Sequence, residues 1–355
     1  MRVLALVSLP TSGAGNRLRV EQYVPLLRGR GIEMVVSPFF DEHAYRILYR
    51  PGHTLAKAIG TLRGIARRIR DVLRAGRFDL VLVYRESAPL GPPLIERLLR
   101  RIGVPYVYDF DDALFLAPIH PVNRRWTWLR DPSRYAETAR GAVAVTTVND
   151  YLAEWAREYN VDVSVIPTPV DTSVYRPQTV ERSGPLVIGW SGSSTTAPYL
   201  KLLDEALAVL AERIDLVVRV IGGSYAHPRA VVQLIPWRLE TEPSKIAGFD
   251  IGVLPEPDDS WTRGKGAFKA LLYMASGVPV VASAIGVNPE VVADGMVGYC
   301  VSDTAGWIRA IETLAVDRVL RARLGSAGRL RVEERYSLDV QVPRLAEVLT
   351  RAARR

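Results

Sequence analysis

With 355 residues, 48% apolar and 24% charged, the chain has the balance of a folded globular protein and enough length for two domains of comparable size. A single cysteine, Cys300, excludes an internal disulfide framework and suits a reducing cytoplasm, and no apolar run approaches the roughly 18 residues that span a bilayer. The net charge of +8 is one-sided: residues 1–150 carry 23 Lys plus Arg against 14 acidic residues, and residues 151–355 carry 23 against 24.

The first predicted element is a strand over Val3–Leu9. The same apolar start has some look of a signal peptide, but the loop of Gly13 and Gly15 leads straight into helical periodicity, which favours a buried strand. Strands follow at Met34–Ser37, Leu80–Tyr84, Tyr106–Tyr108 and Ala142–Thr146, with helical patterns between them at 17–29, 55–75, 90–102 and 149–158. Short apolar, β-branched runs alternating with helices predict a parallel sheet covered on both faces. Three prolines in Ile166–Pro177 prevent a helix and mark an extended connector. The plan then repeats, with strands at Leu186–Trp190, Leu216–Gly222, Ile251–Leu254 and Val278–Ala282 and helices at 199–213, 265–276 and 305–315. The fold class expected is α/β, two Rossmann-like domains facing a central cleft. Residues 1–168 form the first domain, 169–338 the second, and 339–355 a final helix able to pack back on the first.

Several segments then resemble one family. Val165–Tyr175 is similar to the interdomain signature of the GT-B glycosyltransferases, most closely the retaining family-4-like branch. Asp250–Pro255 and Lys269–Ser283 resemble that family's donor-site segment, and Gly286–Gly298 its following loop and turn. The resemblance implies a glycosyltransferase that moves a sugar from a nucleotide-sugar donor to a glycan, lipid-linked or small-molecule acceptor, with retention and without a metal or other cofactor. Two glutamates eight positions apart are usual in the donor segment of that family, and Gly264 and Leu272 stand in the matching places here. The departure points to a branch with its own donor geometry. A nucleotide-sugar epimerase of the same fold and an inactive sugar-nucleotide-binding protein are the alternatives.

Chemistry narrows the candidate residues. Glycosyl transfer separates an oxocarbenium-like sugar from a departing diphosphate, so the site needs positive charge and a group that handles the acceptor proton. Only five of the 46 basic residues are lysines, and two of them, Lys265 and Lys269, stand four apart in the donor segment, where a helix would put them on one face. Gly192, Ser193, Ser194 and Thr195 follow a strand and precede a helix, a place suited to an anion or to an ordinary capped turn. Gly13, Gly15 and Arg17 form the matching loop of the first half. Asp111 and Asp112, just after a strand, look like the family's His-Asp pair. Clustered carboxylates repel, so one should have a raised pKa and could take the acceptor proton. Trp237 and Arg238 are placed to flank the base, and Glu290, Asp258 and Asp259 to take over sugar or ribose hydroxyls.

One helix stands apart from this chemistry. Over residues 55–74 the apolar positions Leu55, Ile59, Leu62, Ala66, Ile69 and Leu73 keep helical spacing, and Lys57, Arg63, Arg67, Arg68, Arg70 and Arg74 fill the rest. The expectation is that the apolar stripe packs on the sheet and leaves the arginines outside, open to peripheral contact with an anionic membrane at its cytoplasmic face. The lack of aromatic residues interleaved with the basic ones argues against a nucleic-acid role.

Overall fold

The structure, a computed structural model, describes residues 1–116, 132–178 and 184–355. The chain divides into two compact units, Met1–Pro169 with Gln341–Arg355, and Val170–Val340.

The first unit is built on six parallel strands: β1 (Arg2–Val7), β2 (Glu33–Pro38), β3 (Leu80–Tyr84), β4 (Tyr106–Phe110), β5 (Ala144–Thr147) and β6 (Val163–Val165), in the order β2-β1-β3-β4-β5-β6. Every residue of β3, β4 and β5 is buried, as a strand covered on both faces requires. The second unit repeats the scheme with β7 (Leu186–Ser191), β8 (Leu216–Ile221), β9 (Val231–Ile235), β10 (Ile251–Leu254), β11 (Val280–Ser283) and β12 (Gly298–Val301), ordered β12-β11-β10-β7-β8-β9. Its apolar core lies on both sides of the sheet, around Trp190 and Leu207 on one face and around Phe249 and Tyr273 on the other. Both sheets are the α/β architecture that the alternation of runs predicted. The three strands the sequence did not reveal, β6, β9 and β12, are all sheet edges. They are short or half-exposed, and Gln233 interrupts the apolar run of β9, so none carries the continuous signal of a central strand.

Residues Gln341–Arg355 fold with the first unit. There Arg351 and Arg355 pair with Asp162, and the Arg344 guanidinium donates to the Val165 carbonyl at 2.9 Å.

The helix Thr54–Arg74 overturns an expectation. Its buried face consists of Gly60, Gly64, Arg68 and Asp71. Gly64 lies so close to Phe39 that a Cβ would be 2.4 Å from its ring, and a Cβ on Gly60 would be 2.9 Å from that of Ala44. Arg68 donates to Asp71 at 2.9 Å and to the carbonyls of Val7 and Ser87, which satisfies a guanidinium that is 1% exposed. The small and paired polar residues therefore face inward. Leu55, Ile59, Leu62, Ile65, Ile69 and Leu73 point to solvent, with Leu55 76%, Leu62 64% and Leu73 83% exposed.

Candidate functional site

In the second unit, one charged cluster forms beyond the carboxyl ends of β7, β10 and β11. Past Ser191 the chain turns at Gly192, where a Cβ would lie 2.5 Å from the Trp190 ring and 2.9 Å from the Lys269 ammonium. The Lys269 Nζ donates to Thr196 Oγ1 at 3.0 Å and rests 4.6 Å from the centroid of the Trp190 ring. Lys265 Nζ lies 4.8 Å from the centroid of the Tyr199 ring and 3.9 Å from Glu256 Oε1. Glu256, two residues beyond β10, is buried and accepts from the Asn288 side-chain amide at 3.1 Å, while its backbone N–H donates to Ser283 Oγ at 2.9 Å.

Two ammonium groups thus share one carboxylate in a partly dry place. Burial pushes the Lys269 amine down to about 7, the Lys265 charge adds to that, and Glu256 opposes it. Burial likewise lifts the Glu256 carboxyl above the usual range, restrained by Lys265 and the Asn288 amide. An anion entering beside the lysines would relieve their mutual repulsion. The lysines do not meet as neighbours on a helix over 265–276. The helix is Phe268–Ala275, and Lys265 precedes it in a loop that passes through Ala267 at φ +51°. A left-handed alanine costs about 1 kcal/mol or more, strain that the surrounding packing must hold in place.

In the first unit, the carboxyl end of β4 carries three aspartates with two roles. Asp109 is buried and takes a bidentate pair of bonds from Arg19, at 2.9 and 2.7 Å. Asp111 is held by the Arg85 guanidinium at 2.6 and 2.9 Å and by the Tyr84 hydroxyl at 2.9 Å, and Arg85 also reaches Asp112 at 2.5 Å. Burial works to raise the Asp111 carboxyl, but Arg85 overcomes it and the carboxyl sits below its ordinary range. The expected raised pKa from two repelling carboxylates is therefore absent at Asp111, because a guanidinium fills the space between them. Arg85 does this from the left-handed region, at φ +60°, directly after β3. Gly15 faces the same group: a Cβ there would be 2.6 Å from the Tyr84 hydroxyl.

Comparison with known proteins decides what these two sites belong to. Residues 19–174 match the sequence model described as Glycosyltransferase Family 4, and residues 186–317 that of Glycosyl transferases group 1. A D-inositol 3-phosphate glycosyltransferase of Arthrobacter is 24% identical over 321 residues, covering 80% of this chain and 73% of the relative. One from Streptomyces avermitilis is 32% identical over 172 residues, covering 47% of this chain and 32% of the relative, so that match spans about a third of the relative's length. Among solved structures, sucrose-phosphate synthase from Thermosynechococcus elongatus superposes with a TM-score of 0.71 at 15% identity over 99% of each chain. Anabaena HepE in complex with UDP-glucose does so at 0.71 and 16%, over 99% of this chain and 100% of HepE. The chain belongs to the family-4-like glycosyltransferases of the GT-B fold.

Within this glycosyltransferase the residues singled out from sequence have distinct fates. Lys265, Lys269 and Gly192 converge in the second unit. Ser193, Ser194 and Thr195 lie exposed on the loop above them, with Ser193 and Thr195 hydroxyls 2.7 Å apart, and Thr196 is the loop hydroxyl that meets Lys269. Trp237, half-exposed, packs on Gly222, which in turn lies against the Gly192 carbonyl, and Arg238 beside it is exposed. Asp258 forms a solvated pair with Arg263 at 2.8 Å, and Asp259 caps the short helix Ser260–Arg263. In the helix Asn288–Val292, Asn288 turns toward Glu256 while Glu290 is exposed near Tyr336. Arg17 reaches the Thr11 carbonyl of its own loop at 3.5 Å, and Gly13 starts the helix Ala14–Arg19. Leu272, in the usual place of a glutamate, is buried in the core, and Gly264 ends the helix Ser260–Arg263.

Sequence reasoning missed Glu256, Asn288, Thr196 and Arg85. Glu256 had a usable signal, as the first carboxylate past the strand Ile251–Leu254, directly after the segment Asp250–Pro255. Arg85 had the same one, as the first residue after β3.

Proposed function

We propose that this glycosyltransferase binds the diphosphate of a nucleotide-sugar at Lys265 and Lys269 and transfers the sugar, with retention, to an acceptor hydroxyl. The observation that carries this reading is the convergence of the two lysines on Glu256 at the sheet end of the unit matching Glycosyl transferases group 1. In the transfer, the bond from the sugar C1 to the phosphate oxygen breaks and the electron pair leaves with the nucleoside diphosphate. The acceptor oxygen bonds C1 from the same face, and its proton passes to the departing phosphate. Both ammonium groups stabilise the charge that develops on that phosphate, the largest single contribution in such chemistry. Glu256 keeps Lys269 cationic when the anion arrives, and Trp237 offers a ring for the base. In the first unit, Asp112, the more exposed of the clamped pair, accepts a hydrogen bond from the acceptor, and Arg85 holds it in place. The lysines supply the charge that a divalent ion would bring, so the reaction is metal-independent.

The structures of HepE with UDP and with UDP-glucose make uridine diphosphate the first nucleotide to test. UDP is expected to raise the melting temperature of the wild type and not that of Lys265→Ala/Lys269→Met. Equal stabilisation of both proteins would refute the donor assignment.

A further inference from the structure

The outward stripe of the helix Thr54–Arg74 has a neighbour with the same character. The helix Leu94–Arg101 packs beside it and exposes Leu94, Leu98 and, just past its end, Ile102. The six exposed apolar residues of the longer helix fall within an arc of about 120°, opposite its buried glycine face. Twenty-one residues of helix make a flat apolar track about 30 Å long.

The charges complete the picture. The two helices contain one carboxylate each, Asp71 and Glu96, and both are buried, at 1% and 2% exposure. Every exposed charge on the pair is therefore positive. On the longer helix, Lys57, Arg67, Arg68 and Arg74 are committed to partners within the fold. Arg63 and Arg70 flank the stripe in solvent with no hydrogen bond or ion pair among the described residues, and Arg100 and Arg101 are exposed on the shorter helix. A second copy of the chain fits this face poorly, because it would set guanidinium against guanidinium.

We infer that the paired helices Thr54–Arg74 and Leu94–Arg101 form a surface that docks on an anionic lipid bilayer, the leucines and isoleucines entering the interface and the arginines meeting phosphate headgroups. This is independent of the donor reading, since none of these residues belongs to either charged cluster. Apolar entry and headgroup attraction each contribute, so both chemistries must be present for stable binding.

The test is co-flotation of the full chain with vesicles of phosphatidylcholine alone or of phosphatidylcholine and phosphatidylglycerol in equal amounts. Wild type is expected to float with the anionic vesicles, to stay behind with the neutral ones, and to be released by high salt. Leu62→Asn/Ile69→Asn/Leu73→Asn and, separately, Arg63→Ser/Arg70→Ser are expected to weaken partitioning by at least about tenfold. Both variants should keep the wild-type melting temperature and UDP response, because every substituted side chain is already in water. Wild type remaining with the soluble fraction, or both variants floating as well as wild type, would overturn the inference. So would a dimer in light scattering that Leu62→Asn dissociates, which would assign the face to a second copy.

Discussion

Lys269 is the residue on which most of the proposed chemistry turns. Its ammonium binds diphosphate and its neutral amine does not. With the amine pushed down to about 7 in the free protein, UDP affinity is expected to fall as pH rises from 7 to 9, and binding in that range should take up a proton. Titration calorimetry in buffers of different ionisation enthalpy measures both. Glu256 supports the charged amine, so Glu256→Gln is expected to move the fall in affinity to lower pH, and a midpoint unmoved or moved upward would contradict the geometry. Lys269→Met should cost about a hundredfold or more in turnover. It should also stabilise the fold at pH 7–8 by about 1 kcal/mol or more. In that range the unfolded lysine keeps its proton while the buried amine gives it up more readily, so the native side chain is a burden on folding that Met lacks. Chelation with EDTA is expected to leave turnover unchanged, because the lysines already carry the charge.

At the scale of elements, the helix Thr54–Arg74 shows where pattern reading fails. Gly64→Ala forces a Cβ into the Phe39 ring and is expected to lower stability by about 1–2 kcal/mol in spite of alanine's better helix propensity. Leu62→Asn, on the opposite side, should change it by less than about 0.5 kcal/mol, as urea unfolding of the two variants would show. Helical spacing located this helix nearly to its ends, since periodicity is a property of the chain alone. The choice of buried face was not legible, because Arg68 and Asp71 become buriable only through Ser37, Val7 and Ser87, which arrive from distant positions. The central strands read clearly, as their residues are buried on both faces. The site was half legible for the same kind of reason. Glycine turns and rare lysines leave local marks, while the partnership of Glu256 with Asn288, or of Arg85 with Asp111 and Asp112, exists only between elements.

At the scale of the whole chain, the two units differ in how they are closed. Leu345, Val348 and Leu349 are buried in the segment that returns to the first unit. Deleting Gln341–Arg355 strips that cover, and calorimetry is expected to show the first unit melting several degrees before the second, with UDP still raising the later transition. A single unchanged transition would mean the returning segment adds little. The two glycines that abut the charged groups, Gly15 under Tyr84 and Gly192 under Lys269, have a further consequence for how this protein can change. A methyl group would meet the Tyr84 hydroxyl at the first position and the Trp190 ring and Lys269 ammonium at the second, so one nucleotide change at either can disturb one cluster and spare the other. Drift there would yield binders that keep half of the machinery, and such half-silenced descendants should be recognisable by an alanine or serine at one of the two positions alone.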